Sequence, residues 1–241
     1  MTQRDFLSEW IATLNRFDFV CISLKNRKDR QKHMEGLFRR LKILDRITWW
    51  LVDKHPTGGV YGCFESHLNV WKRHGNREFL FVFEDDINLV DPGGVIEFHN
   101  VLSCIPELDY SIINCAPSPL YITGSYKHGF DSGYFLDTAA YVIPRKHLPR
   151  VIRHVEPHFG IPIDIATFDL PSVGREIFRQ IGDTSDILDG PYYAWRKETR
   201  ESISKTFPGF GLIVITVLKL IRSDPSYRNE KAIPSQIVDR R

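Results

Sequence analysis

The chain predicts an α/β fold in one domain with a mostly parallel central sheet, and three observations carry that prediction. Phe79-Leu80-Phe81-Val82-Phe83 is an unbroken apolar run of strand length built from β-formers, as expected of a strand buried on both faces. Phe19 to Leu24 is a second apolar run; it stops in a polar turn and leads into a helical stripe of Met34, Leu37, Phe38 and Leu41, the opening of a βαβ unit. Strand-like and helix-like segments then keep alternating as far as residue 155, the order from which parallel sheets are built.

In chain order, residues 1 to 17 read as a short helix with Phe6, Leu7, Trp10, Ile11 and Leu14 on one face. After the first strand, Lys25-Asn26-Arg27-Lys28-Asp29-Arg30 forms the turn, with Asn26 placed to cap the next helix. Arg46 to Val52 is the second strand, and Asp53 stands at its end before a loop with Pro56, Gly58 and Gly59. Residues 60 to 74 make a helix with Cys63, Phe64, His67, Leu68 and Trp71 on its inner face. Beyond the central strand come a break at Asp91-Pro92-Gly93-Gly94, a helix over roughly 95 to 103, and a buried strand from Tyr110 to Cys115. Residues 116 to 135, rich in Pro, Gly, Ser and aromatics, read as a hairpin or a substrate loop. Thr138 to Ile143 returns to strand character, Pro144 ends it, and a helix follows to about residue 155.

The 241 residues suffice for one sizeable core, divided here into an N-terminal helix (1–18), a main domain (19–190) and a C-terminal extension (191–241). With 32 basic against 30 acidic residues there is no electrostatic case for a nucleic-acid partner. Cys21, Cys63, Cys104 and Cys115 are widely and irregularly spaced, which argues against a zinc ribbon or a disulfide scaffold and for thiols in a reducing, cytoplasmic setting. The start of the chain lacks the pattern of a signal peptide. The greasiest stretch, Phe210 to Ile221, falls short of the ~20 residues a membrane span needs, leaving at most a weak membrane-surface contact.

The central strand ends in Glu84-Asp85-Asp86. Three adjacent carboxylates repel one another, and burying even one unpaired costs several kcal/mol, roughly, so a cluster at a strand end is expected to hold a cation. Oxygen ligands suit Mg²⁺ or Mn²⁺, either of which can bridge to a diphosphate. The plain alternative is a polar loop after a core strand. In a sheet of βαβ units, ligands sit beyond the carboxyl ends of the strands, where Lys25 to Arg30, Asp53 to Gly59 and Glu84 to Asp86 are expected to fall, with Asp164 as a fourth candidate. No G-x-G-x-x-G follows the first strand and no Walker A motif occurs, which removes the usual support for dinucleotide or P-loop chemistry.

Three segments resemble glycosyltransferase family 25, the lipopolysaccharide-type and collagen-type glycosyltransferases: Ile22 to Arg30, Gly62-Cys63-Phe64-Glu65-Ser66-His67-Leu68-Asn69-Val70-Trp71, and Phe83-Glu84-Asp85-Asp86-Ile87. Thr138 to Ile143, Pro162-Ile163-Asp164 and Thr184-Ser185-Asp186-Ile187 follow in the family's order, so the resemblance spans about residues 19 to 190. It implies a GT-A (Rossmann-like) fold, a nucleotide-sugar donor, usually a UDP-sugar, a glycan or glycoprotein acceptor, and inversion at the anomeric carbon with Mn²⁺ or Mg²⁺. It implies Asp86 as the principal metal ligand beside Glu84, with Glu84 and Asp85 positioning the ribose and the ion's water. Lys25, Arg27 and Arg30 would approach the donor's phosphates, Leu24 would bind the donor, Ser66 and His67 would lie near the donor, and Asp53 near the base or ribose. Asp164 would be the general base or a further ligand, with Asp186 its competitor. The chain departs from many GT-A enzymes in having no histidine after His158 to complete a metal shell.

Each residue has a structural alternative. Arg27 and Arg30 can be the charged first turn of a surface helix, His67 a hydrogen-bonded core histidine, Asp53 a lone strand-end acid, and Asp164 or Asp186 a helix cap. Tyr121, Tyr126, Phe130 and Tyr134 can form an acceptor platform or simply pack their loop. Two further readings of the whole are a catalytically silent relative that binds a nucleotide-sugar or glycan, and phosphoryl or nucleotidyl transfer from the same acids.

Overall fold

The computed structural model describes residues 3–181 apart from positions 92 and 137; the Thr184-Ser185-Asp186-Ile187 segment, the 210–221 stretch and the 191–241 extension lie outside the described residues. The elements are α1 (Gln3–Leu14), β1 (Phe17–Leu24), α2 (Lys28–Arg40), β2 (Ile47–Val52), α3 (Gly59–Arg73), β3 (Phe79–Glu84), β4 (Ile87–Leu89) and α4 (Val95–Cys104). There follow β5 (Ile112–Asn114), β6 (Ser118–Ser125), β7 (Asp131–Leu136), β8 (Ala140–Pro144), α5 (Leu148–Val155), α6 (Ile163–Thr167), β9 (Ser172–Gly174) and β10 (Phe178–Gln180).

The fold is mixed α/β. Among the described residues, one eight-stranded sheet runs in the order β2-β1-β3-β8-β5-β9-β7-β6, and β4 pairs with β10 in a small two-stranded sheet. Strands β2, β1, β3, β5, β9 and β6 of the large sheet point one way, while β8 and β7 are reversed, so it is mostly parallel. The hairpin predicted within 116–135 is β6 and β7, and Phe130 in the turn that joins them is fully buried, out of reach of any acceptor platform.

Alternation along the strands divides the core into two layers. On β3, Phe79, Phe81 and Phe83 join Phe17, Phe19 and Cys21 of β1 in the layer under α1, α2 and α4. Leu80 and Val82 join Val20 and Ile22 in the opposite layer, under α3, α5 and α6. The predicted stripe Met34, Leu37, Phe38 and Leu41 is buried in the first layer, and Phe64, His67, Leu68 and Trp71 of α3 are buried against the second. Trp10 stacks on His99 and meets Phe98 edge-on, which fastens α1 to α4.

Two local expectations are corrected. Asn26 does not cap α2: the cap position is Arg27, which makes no side-chain cap bond. That helix start is instead tied by Gln31, whose Nε2 donates to the Leu24 carbonyl at 2.8 Å. The strand from Thr138 to Ile143 begins only at Ala140 and enters the sheet antiparallel, between β3 and β5.

Candidate functional site

Where β1, β2 and β3 end side by side, the register sets Leu24 beside Val52 and Ile22 beside Glu84. Their carboxyl ends form the floor of a cleft of about 670 Å³ including its open mouth, walled by the 53–59 loop and the first turns of α3. Ser23, Leu24, Arg30, Asp53, Ser66, His67, Glu84, Asp85 and Asp86 all line it, so most of the residues singled out in the sequence converge in one place.

Strand alternation decides which way each acid turns. Glu84 continues the parity of Leu80 and Val82 and meets α3: His67 Nε2 lies 3.0 Å from Glu84 Oε1. Asp85 continues the parity of the phenylalanines and meets α2 and the end of β1. It accepts Ser23 Oγ–H at 2.6 Å and Arg30 Nη1–H at 3.0 Å. Asp86 lies just past the strand and accepts from Gln180 Nε2 at 3.0 Å and from Arg30 at 3.4 Å, all through Oδ2. Its Oδ1 is buried and, among the described residues, has no hydrogen-bond partner. Burial, then the neighbouring Glu84 carboxylate, lifts the Asp86 pKa to about 7, with Arg30 and Gln180 opposing and Asp85 adding to the rise.

A chain of buried hydrogen bonds fixes the α3 side. Trp71 Nε1 has only a hydrogen to give and donates it to the Tyr141 hydroxyl at 2.7 Å. Burial holds the Tyr141 phenol in its protonated form, raising its pKa well above the usual value. Its own hydrogen then has His67 Nδ1, 2.7 Å away, as acceptor. That assignment leaves the His67 proton on Nε2, donated to Glu84 Oε1, which also accepts from Thr138 Oγ1 at 3.1 Å. His67 is thus both things at once: 1% exposed like a core histidine, and bonded at its outer nitrogen to the cleft's first acid.

Other predicted residues are placed differently. Asp53 pairs with Lys25 at 2.6 Å on the exposed rim. Arg27 forks onto Asp29 from outside the lining, and Asp29, so held, titrates at about 2. Arg30 points into the acids, only 16% exposed, and bridges Asp85 and Asp86. Ser66 Oγ donates back to the Gly62 carbonyl at 2.5 Å. Asp164 is buried in the first turn of α6, where it accepts the Ile165 amide at 3.0 Å, and is not among the lining residues.

Glycine has a positional reason twice here. Gly58 precedes α3 at φ 119°, a conformation that L side chains rarely adopt, and a Cβ on Gly62 would stand 2.9 Å from the Cβ of His55. The pair lets the 53–58 loop fold tightly onto α3 and shape the cleft wall.

Sequence reading missed Ser23, Gln180, Tyr141 and Thr138 as members of the site. Ser23 carried a local signal, as the one hydroxyl inside the Phe19–Leu24 run, whereas Thr138 and Tyr141 stood only within a segment of the resemblance, with no role. Gln180 reaches Asp86 across 94 positions of sequence, which no local pattern reveals.

No family model matches the chain, and no curated protein matches it. Solved structures do. A glycosyltransferase involved in glycosylating the major capsid of PBCV-1 is 13% identical over 76% of this chain and 98% of its own, at a TM-score of 0.42. The catalytic domain of Drosophila β1,4-galactosyltransferase 7 in complex with xylobiose is 9% identical over 79% of each chain, TM-score 0.43. A UDP-glucose pyrophosphorylase complexed with UDP-glucose is 11% identical over 84% of this chain and 86% of its own, TM-score 0.41.

Proposed function

We propose that this chain is a metal-dependent, inverting glycosyltransferase of the family 25 type, which takes a sugar from a nucleotide-sugar donor, a UDP-sugar in the first instance, and passes it to a glycan or protein-linked acceptor. The observation that carries the reading is Asp86 Oδ1, buried without a hydrogen-bond partner among the described residues, in a cleft whose carboxylates outnumber its lysine and arginine side chains. Asp53, Glu84, Asp85 and Asp86 line it against Arg30 and Lys54. A buried carboxylate oxygen left unsatisfied costs about 1–3 kcal/mol or more, which a cation would recover.

Asp86 and Glu84 are the residues that would hold Mn²⁺ or Mg²⁺, and such an ion would offset charge on a departing diphosphate. Around it, Ser23 and Arg30 keep Asp85 fixed, Gln180 steadies Asp86, and His67 with Thr138 steadies Glu84. In the reaction an acceptor hydroxyl attacks the anomeric carbon opposite the diphosphate; the new glycosidic C–O bond forms, the bond to the diphosphate breaks, and the hydroxyl proton passes to a base. Asp164 and Asp186 stand in this reading as the acceptor-side acids, Asp164 from a turn outside the cleft lining and Asp186 from beyond the described residues.

One observation favours the silent, binding-only relative: the Arg30 guanidinium already offsets part of the negative charge of Asp85 and Asp86. Incubating the protein with a panel of nucleotide-sugars and Mn²⁺ separates the two. The enzyme reading expects release of the nucleoside diphosphate from one donor, abolished by a chelator; no hydrolysis of any donor with Mn²⁺ or Mg²⁺ leaves the binding reading in its place.

A further inference from the structure

Beside the acids, and outside the ligand set just proposed except for Glu84, lies a group of softer donors. Cys63 and His67 are four residues apart on α3 and so share one face of the helix. Their ligand atoms and a Glu84 carboxylate oxygen all lie within 4.8 Å of one another, and all three residues line the cleft. The edge between His67 Nε2 and Glu84 Oε1, 3.0 Å, already approaches the spacing of two ligands on one tetrahedral ion with bonds of about 2.0–2.2 Å. Tyr141 stands 2.7 Å from Nδ1 and so fixes the ring's orientation; its oxygen can accept an Nδ1–H, the role of an outer partner of a metal-bound histidine, once the ring gives up its Nε2 proton.

We infer that Cys63, His67 and Glu84 form a transition-metal site for Zn²⁺, with a fourth position open to the cleft. A thiolate, an imidazole and a carboxylate select Zn²⁺ over Mg²⁺, whereas an all-oxygen set at Asp86 selects the reverse. Three protein ligands and one open position are the composition of a site that takes a water or a substrate oxygen, not of a closed structural one. On binding, the Cys63 S–H bond gives way to a sulfur–metal bond and its proton leaves to solvent. The His67 proton shifts from Nε2 to Nδ1, where the Tyr141 oxygen accepts it, and the Tyr141 hydroxyl turns its own hydrogen away from the ring toward the adjoining small cavity lined by Asn114, Thr138, Thr167 and Ser172. Cys63 is half-buried and lines the cleft, so its thiol is within reach of an ion that enters there.

The test is a Co²⁺ titration of chelator-treated full-length protein. One equivalent is expected to give a near-ultraviolet thiolate-to-cobalt band with tetrahedral visible absorption, both displaced by Zn²⁺. Cys63→Ser should remove the thiolate band, and Glu84→Gln should weaken affinity about tenfold or more. In the unsubstituted protein, Zn²⁺ should slow alkylation of Cys63 as read by peptide mass spectrometry, which keeps the site testable if a variant misfolds. An octahedral spectrum without a thiolate band, a band that survives Cys63→Ser, or alkylation of Cys63 indifferent to Zn²⁺ overturns the site and leaves a plain His67–Glu84 hydrogen bond. None of these readouts requires a nucleotide-sugar, so this site and the transferase reading fail separately.

Discussion

Asp86 is where the chemistry of a single residue reaches the behaviour of the protein. Its folded pKa of about 7 lies above the ordinary 3.8, so between those values the native state holds a proton that the unfolded chain has released. Stability therefore falls as pH rises through that window and levels off above it, by a few kcal/mol, roughly, at 1.36 kcal/mol per pKa unit. His74 and His99, whose pKa values burial lowers, act in the opposite sense below about pH 6.5. The informative quantity is thus the difference between the unsubstituted protein and Asp86→Asn, followed by thermal melting from pH 5 to pH 8 in chelator. The unsubstituted protein should lose more stability across that range than Asp86→Asn, and Mn²⁺ should restore the loss at pH 8. Parallel pH profiles would show that Asp86 does not carry the strain. The acids themselves were legible in the sequence because a β-former run ended in them. Their differing directions became visible only from the parity of the strand, and Arg30's turn toward them only from the packing of α2.

At the scale of elements, α3 is joined to β3 and β8 by the bonds Trp71 to Tyr141 to His67 to Glu84, so the helix and the acid strand are positioned together. Tyr141→Phe keeps the ring but deprives two buried nitrogens of their partner, at about 1–3 kcal/mol each. For a chain of this size the melting temperature should fall by roughly 4–24 °C. A change within a degree or two would mean that the relay contributes nothing. Elements with a full stripe or run, such as α2, α3 and β3, were readable before folding. β9 and β10 were not, because three residues define no period. The reversal of β8 was hidden for another reason: its run, buried on both faces, has the same composition whichever way it points. α6 was hidden in an apolar stretch of five helical residues, too short to show a stripe.

Across the described residues, the sheet carries apolar layers on both faces and a polar cleft at the carboxyl ends of β1, β2 and β3. No helix among the described residues is long and apolar enough to cross a membrane. The alternation of strands and helices foretold that cleft's location, since ligands gather beyond strand ends in such sheets. Its membership needed the tertiary structure, with Gln180 arriving from β10 and Tyr141 from β8. The central claim is that the acids at the end of β3 hold a divalent ion that binds a nucleotide diphosphate. Calorimetric titration of the full chain with UDP tests it most directly, in Mn²⁺, in chelator, and in Mn²⁺ with Asp86→Asn. The account predicts binding in Mn²⁺ that weakens at least about tenfold, the equivalent of about 1.4 kcal/mol, in each of the other two. Equal affinity under all three conditions, or no binding of UDP in Mn²⁺, would contradict it.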